Sequence, residues 1–237
     1  MSNNHFQFKQ FTIHHERCAM KVGTDGVLLG AWVPLPDEGC VLDVGTGTGL
    51  IALMVAQRAK DVHVLGIDID EASVTQAVEN VQASPFAERV EIRCQSLQQL
   101  AQDETQAHAF NAIVCNPPFF EDALLPPDRQ RSQARHTTTL PFDTLVHCTR
   151  QLLCPGGTFS VIIPTASFDD FRRLCFVEGL YLKASINVQT TANKAPKRVM
   201  VSFADNAQQP TSDTLILTEE GARSEDYRRL TRDFYLY

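Results

Sequence analysis

Short apolar runs alternate along the chain with stretches in which apolar residues recur every three or four positions. The first pattern is typical of buried strands, and the second of amphipathic helices. Strands are predicted at residues 41–44, 63–67, 90–94, 110–115, 158–163, 181–188 and 198–203, with a further closing strand near 214–217. Helices are predicted at residues 50–59, 71–83, 142–153, 168–178 and 227–235. This alternation indicates an α/β fold with one doubly wound, mostly parallel sheet.

The first forty residues show a different pattern. Residues 6–13 alternate between apolar and polar, which predicts a half-exposed strand. After a charged bend, Thr24 or Asp25 can cap a short helix that Pro34 and Pro36 end. We therefore expect a single domain, in which residues 1–38 form a small N-terminal β/helical extension and residues 39–237 form the core.

Composition narrows the class of protein. No apolar stretch approaches the roughly 20 residues of a membrane helix, and the polar N-terminus lacks the apolar core of a signal peptide. The seven cysteines are scattered without a CxxC or Cys/His ligand spacing, which favours reduced thiols in the cytoplasm over disulfides or a metal site. The net charge of −7 disfavours nucleic-acid binding, although a local basic face can still contact phosphates.

A glycine-rich turn follows the first core strand. Gly45-Thr46-Gly47-Thr48-Gly49 joins that strand to a helix, where glycines let the backbone approach a ligand. Its GxGxG spacing differs from the GxGxxG of dinucleotide-binding folds. Asp68 ends the next strand, at the position where related folds hold a ribose. Asp68 or Asp70 can equally be the cap of the following helix.

The fourth core strand ends in Asn116-Pro117-Pro118-Phe119. Two prolines remove two backbone donors and stiffen the loop, while Asn116 adds an acceptor and Phe119 an aromatic face. Such acceptors beside a ring suit a planar amine at the ligand-binding edge of the sheet. The alternative for this segment alone is an ordinary turn, because Asn and Pro are common turn residues.

Taken together, Leu42–Gly49, Gly66–Asp70, Asn116–Phe119 and Pro155-Gly156-Gly157 resemble the class I S-adenosylmethionine-dependent methyltransferases, with their seven-stranded Rossmann-like sheet. Cys18–Trp32, Gln133–Leu140 and the closing Phe234-Tyr235-Leu236 resemble one bacterial family within this class. Its members methylate N6 of the adenine next to the anticodon in a valine tRNA. The resemblance covers nearly the whole chain.

The resemblance implies the following roles. The residues expected to bind S-adenosylmethionine are Thr24, Asp25, Asp43, Gly45, Thr46, Gly47, Gly49, Asp68, Ile69, Ser96 and Asn116. Among these, Asp68 would hold the ribose hydroxyls, Ile69 would lie against the adenine, and Thr24-Asp25 would close the methionine end. Ser96 stands where the family usually has an Asp that accepts from the adenine amine of the cofactor, and it offers a weaker neutral acceptor. Asn116, Pro117 and Phe119 are the expected catalytic residues, with Phe119 stacking on the target base.

Two basic groups flank the candidate site and are expected to bind the anticodon stem-loop of the tRNA. They are Arg129, Arg131, Arg135 and His136, and Lys194, Lys197 and Arg198. The alternative for each group is a solvated surface. A monomer without metal is expected. Three other functions stay open: methylation of guanine N2 in ribosomal RNA, methylation of a protein glutamine, and cofactor binding without catalysis.

Overall fold

In the computed structural model, residues 4–18, 21–117 and 140–236 are described. The strands in these ranges are β1 (His5–Gln7), β2 (Thr12–His14), β3 (Glu38–Val44), β4 (Asp61–Asp68), β5 (Val90–Cys94), β6 (Phe110–Cys115), β7 (Leu153–Pro164), β8 (Tyr181–Gln189), β9 (Arg198–Ala204), β10 (Thr211–Ile216), β11 (Thr218–Glu219) and β12 (Ala222–Arg223). The α-helices are α1 (Thr24–Trp32), α2 (Leu50–Arg58), α3 (Glu71–Gln82), α4 (Leu97–Ala101), α5 (Phe142–Leu152), α6 (Phe168–Val177) and α7 (Glu225–Thr231). Short 3-10 helices occupy Glu104–Gln106 and Thr165–Ser167.

One large sheet has the strand order β10-β8-β9-β7-β6-β3-β4-β5. Only β9 runs antiparallel to its neighbours among these strands. The prediction of a doubly wound, mostly parallel α/β sheet is therefore confirmed. The sheet has eight strands rather than seven, because β10 adds a parallel strand beside β8. That strand begins at Thr211, inside a polar segment that predicts a loop.

The apolar core lies on both faces of this sheet. Along β6, Val114 packs into the cluster on one face and Ile113 into the cluster on the other. Both residues are fully buried, as expected for a central strand covered on each side. Helix α2 contributes a continuous buried stretch from Leu50 to Ala56. No helix in the described part of the chain combines the length and apolar character needed to span a bilayer.

The N-terminal segment differs from its prediction. In place of one strand over residues 6–13, β1 and β2 form a hairpin in which Phe6 pairs with Ile13. Phe8 and Phe11 are buried in its bend, with their rings stacked at 4.8 Å between centroids. Alternation fits a hairpin as well as a strand, and burial of these two rings decides between them. Tyr235 stacks on Phe8 at 5.8 Å, so the C-terminal segment packs on the hairpin instead of continuing α7.

Three strand ends lie side by side at one edge of the sheet. Val44 of β3 pairs with Ile67 of β4 on one side and with Cys115 of β6 on the other. The residues at the next position along each strand, Gly45, Asp68 and Asn116, therefore occupy the same edge. The chain proceeds outward from β3 through β4 to β5 and then returns to β6 on the opposite side of β3. Such a reversal in strand order marks the ligand-binding crevice of open α/β sheets.

Candidate active site

The glycine turn has the backbone shape that its sequence predicts. Gly45, Gly47 and Gly49 have φ angles of +67°, +54° and +80°, a region that side chains strongly disfavour. The position that a Cβ atom would take is open at both Gly45 and Gly47, with no atom within 4 Å. The amide of Thr46 donates to the Ile67 carbonyl at 2.9 Å and ties the turn to β4. The turn is therefore rigid and has free space above it.

Asp43 lies directly beneath this turn and is 1% exposed. Its Oδ2 accepts hydrogen bonds from Thr46 Oγ1 at 2.6 Å and from the Ala52 amide at 3.1 Å. Its Oδ1 is buried without a partner. Burial raises the pKa of this carboxyl to about 7, because desolvation outweighs the two hydrogen bonds. A cationic group above the turn would favour its ionised form.

Asp68 supports the turn from the neighbouring strand. Its Oδ2 accepts from the Gly47 amide at 2.9 Å, and its Oδ1 accepts from the Asp70 amide at 3.0 Å. Asp70, not Asp68, is the cap of α3, since it accepts from the amide and hydroxyl of Ser73 at 3.0 and 2.6 Å. Ile69, between them, is 57% exposed, which is unusual for a large apolar side chain. Asp68 and Ile69 thus lie at the end of β4, at the same edge of the sheet as the glycine turn, and their contacts with a cofactor stay a prediction.

Ser96 lies at the N-terminus of α4, a short helix that was not predicted. Its Oγ accepts from the Gln99 amide at 3.2 Å, and its own amide donates to Gln99 Oε1 at 3.0 Å. This reciprocal arrangement is a capping box, and Ser-x-x-Gln is its sequence signature. Capping is therefore a structural role for Ser96 beside its predicted contact with adenine.

The first turn of α1 lies beside Leu50, which directly follows the glycine turn, and beside Asn116. The predicted cap by Thr24 or Asp25 is wrong, because Gly23, which has no side chain, occupies the N-cap position. Asp25 instead forms an ion pair with Arg198, with 3.0 Å between Oδ2 and Nε. A Cβ atom at Gly26 would lie 3.7 Å from Asn116 Nδ2, so this turn packs closely against Asn116.

Asn80 was missed by the sequence analysis. It is 1% exposed on α3, and its side chain contacts both the N-terminal hairpin and the glycine turn. Oδ1 accepts from the His14 amide, while Nδ2 donates to the carbonyls of His14 and Thr48, all at 2.9 Å. The sequence does show a polar residue one turn after Ala77, on the predicted apolar side of the helix. Its hydrogen-bond partners could not be predicted, because they are remote in sequence.

Only some of the residues predicted to act in catalysis and RNA binding lie in the described part of the chain. Asn116 is partly exposed and Pro117 is buried at the end of β6. The other predicted catalytic residue and the first basic group, namely Phe119, Arg129, Arg131, Arg135 and His136, lie outside the described residues. In the second basic group, Lys194 and Lys197 are exposed. No group of three or more His, Cys, Asp or Glu side chains arranged for a metal occurs within the described ranges.

Comparison with known proteins first defines the class. A sequence profile described as methyltransferase small domain matches residues 21–167. The structure is similar to that of a predicted O-methyltransferase from Agrobacterium tumefaciens, with a TM-score of 0.70 over 89% of this chain and 96% of the other. At 16% identity this likeness shows the fold alone. The class is therefore that of the methyltransferases with a Rossmann-like sheet.

Full-length relatives then define the family. A tRNA1(Val) (adenine(37)-N6)-methyltransferase of Bacteroides fragilis is 44% identical, over 100% of this chain and 99% of the relative. A protein of the same name from Yersinia pseudotuberculosis is 41% identical, over 98% of this chain and 92% of the relative. The chain belongs to the family of the tRNA1(Val) (adenine(37)-N6)-methyltransferases.

Proposed function

We propose that the protein methylates N6 of the adenine next to the anticodon in a valine tRNA, with S-adenosylmethionine as the methyl donor. The full-length relatives are named as methyltransferases of adenine 37 in a valine tRNA, which supports this choice of substrate. The observation that carries the proposal is the position of Asn116 and Pro117, at the end of β6 and immediately beside the glycine turn at the end of β3. A site for a planar amine and a site for a nucleoside cofactor would thus adjoin each other.

The residues at the edge of the sheet fit this cofactor. Open space above Gly45 and Gly47 would admit its methionine part, and Asp68, which already accepts from the Gly47 amide, would also accept from the ribose hydroxyls. The exposed Ile69 offers an apolar surface for the adenine. Asp43, with a buried Oδ1 that has no partner, would supply a negative potential beneath the turn once the cationic sulfur of the cofactor favours its ionised form. When bound, S-adenosylmethionine supplies an electrophilic methyl group on a cationic sulfur.

Asn116 and Pro117 would act on the amine of the base. The nitrogen lone pair of an adenine amine is delocalised into the ring, so the amine is a poor nucleophile. Acceptance of its two hydrogens by Asn116 Oδ1 and the Pro117 carbonyl would let the nitrogen pyramidalise and direct its lone pair out of the ring plane. Acceptors aimed at charge that develops in the transition state are a major source of catalysis. No separate base is needed, because the methylated ammonium readily loses its proton.

The tRNA would approach the same edge of the sheet. Lys194 and Lys197 lie on the connection between β8 and β9, and this connection begins where β8 ends at that edge. Their exposed ammonium groups suit phosphate contacts despite the net charge of −7. We include Arg129, Arg131, Arg135 and His136 as further phosphate contacts. Phe119 would stack on a base swung out of the anticodon loop.

The proposed function also defines how the chain is divided into an N-terminal extension and a catalytic core. Residues 1–38 would form an extension over the cofactor site, and residues 39–237 the catalytic core of one domain. We further propose a monomer that needs no metal and acts in the cytoplasm, where tRNA is found.

The proposal is tested by transfer of labelled methyl groups to separate pools of unmodified valine tRNA, ribosomal RNA and release factor. We expect label in the tRNA alone, and loss of that label when the adenine at position 37 is replaced by guanine. Label in ribosomal RNA would support the guanine-N2 alternative, and label in release factor the glutamine alternative. Cofactor binding without transfer to any pool would indicate a non-catalytic protein.

A further inference from the structure

The ion pair between Arg198 and Asp25 joins two segments that are 173 residues apart in sequence. The two side chains are 22% and 33% exposed. The surface pair of Arg173 and Asp170, by comparison, is 78% and 80% exposed. Partial burial strengthens the attraction between opposite charges, so the inner pair is expected to contribute more than a surface pair does.

The two members of the pair belong to different elements beside the proposed site, Arg198 to β9 and Asp25 to α1. Arg198 opens β9 and is in register with Pro164, the last residue of β7. Because β7 runs parallel to β6, Pro164 and Arg198 lie at the same edge of the sheet as Asn116. Asp25 lies in the first turn of α1, and the next residue, Gly26, packs against Asn116 and Leu50. The pair therefore connects the sheet edge to the helical turn beside Asn116.

The first turn of α1 has little local support. Its N-cap residue, Gly23, has no side chain to cap it, and the amide of Val27 makes a long hydrogen bond of 3.3 Å to the Gly23 carbonyl. The nine-residue helix also contains Gly26 and Gly30, and each interior glycine weakens a helix by roughly 1 kcal/mol relative to alanine. The position of this turn must therefore depend on tertiary contacts, and the ion pair of Asp25 with Arg198 is one of them.

We propose that Arg198 is a positioning residue, which holds Asp25 and the first turn of α1 in place over the glycine turn. The inference rests on the proposed function, because that turn would close the methionine end of the cofactor site. It changes the role expected for Arg198, which the sequence groups with Lys194 and Lys197 as a contact for RNA. In this account Arg198 acts on the cofactor site through Asp25, while the two lysines face the substrate.

The test is a double-mutant cycle with Arg198→Gln, Asp25→Asn and the two combined, read out by calorimetric titration with S-adenosylmethionine and by steady-state kinetics. Each single variant should weaken cofactor affinity roughly tenfold, in line with a partly exposed charged hydrogen bond. The double variant should have about the same cofactor affinity as the single variants.

Two further variants serve as comparisons. Arg198→Lys should recover most of the cofactor affinity that Arg198→Gln loses, and the KM for tRNA of the Arg198 variants should stay within twofold of the wild type. The exposed pair Lys60–Asp61, where β4 begins at the opposite edge, is the control, and Lys60→Gln should change nothing.

Several results would overturn the inference. One is unchanged cofactor affinity in Arg198→Gln together with a higher KM for tRNA, which would make Arg198 an RNA contact. Another is a double variant whose loss of cofactor affinity equals the product of the two single losses, because that result would mean that Arg198 and Asp25 act independently. Hydrogen exchange without any ligand separates this inference from the proposed function. Arg198→Gln should speed exchange at the amides of Val27, Leu28 and Leu29, and unchanged exchange there would contradict the positioning role even if the wild-type protein bound no cofactor.

Discussion

The side chain of Asn80 holds both backbone polar groups of His14, accepting from its amide and donating to its carbonyl at 2.9 Å each. The second hydrogen of the same amide group reaches the Thr48 carbonyl in the glycine turn. One buried residue of α3 thus connects the N-terminal hairpin to the turn that would carry the cofactor. All the donors of the Asn80 side chain are used in this connection.

Replacement of Asn80 by alanine should lower the free energy of unfolding by about 2–4 kcal/mol, because buried backbone groups lose their partners. Urea denaturation measures this change, with the exposed Asn206→Ala as a matched control that should change stability by less than about 0.5 kcal/mol. A similarly small effect of Asn80→Ala would show that the hairpin does not depend on this amide.

The raised pKa of Asp43 predicts a pH dependence of stability. Its pKa of about 7 in the folded protein lies above the ordinary value of 3.8, so the folded state binds the proton more tightly than the unfolded state. The resulting stabilisation is complete below pH 4 and is lost as the pH rises to about 7. The shift of about three units corresponds to roughly 4 kcal/mol.

Asp43→Asn should remove this dependence. The unfolding free energy of the wild type minus that of the variant should be largest near pH 4. It should then decline as the pH rises to about 7 and level off above that. Urea denaturation at a series of pH values measures the difference. A difference that grows with pH would mean that Asp43 is stabilised in its ionised form.

Much of the fold was predictable because its signals are local. The apolar run of β6, for example, predicts that strand with its observed limits. The sequence could not show which of two similar neighbouring residues takes a given structural role. Asp68 and Asp70 both precede α3, and only the tertiary contact of Asp68 with the Gly47 amide distinguishes the support of the turn from the helix cap.

The least predictable features join remote segments. Nothing near Arg198 in the sequence distinguishes it from Lys197, yet the fold places its guanidinium against Asp25. The polar Asn80 lies on the buried side of a helix, and its role depends on a hairpin 66 residues away. Local patterns therefore locate the edge of the sheet at which the site is proposed, whereas the contacts between its surrounding segments depend on the assembled fold.

Asp68→Ala should weaken binding of S-adenosylmethionine more than Ser96→Ala does. The carboxylate supports the turn through the Gly47 amide and would also accept from the ribose, and loss of such charged hydrogen bonds costs about 1.5–3 kcal/mol. Ser96→Ala removes a helix cap, so its main effect should be about 1 kcal/mol of stability. Titration calorimetry and urea denaturation on both variants measure the two effects. Equal losses of affinity would contradict the assignment of Asp68.

Reversal of charge at Lys194 and Lys197 should weaken tRNA binding and leave cofactor affinity unchanged. Each phosphate contact that is lost should reduce the slope of log affinity against log salt concentration by about 0.7–0.9. Fluorescence anisotropy with a labelled valine tRNA over a range of salt concentrations measures the slope. The exposed Lys60→Glu at the opposite edge is the control. An unchanged slope in the double variant would place the RNA on another face.

The most direct test of the whole account concerns Asn116. Single-turnover transfer of methyl groups to unmodified valine tRNA should be slowed by about 10²–10³ in Asn116→Ala, because one preorganised acceptor is removed from the transition state. Affinity for S-adenosylmethionine should stay within about twofold of the wild type, since the acceptor acts chiefly on the amine of the base and Asn116 is only one of the residues expected to bind the cofactor. Transfer at a nearly normal rate by Asn116→Ala would show that the segment after β6 is only a turn, and would contradict the mechanism.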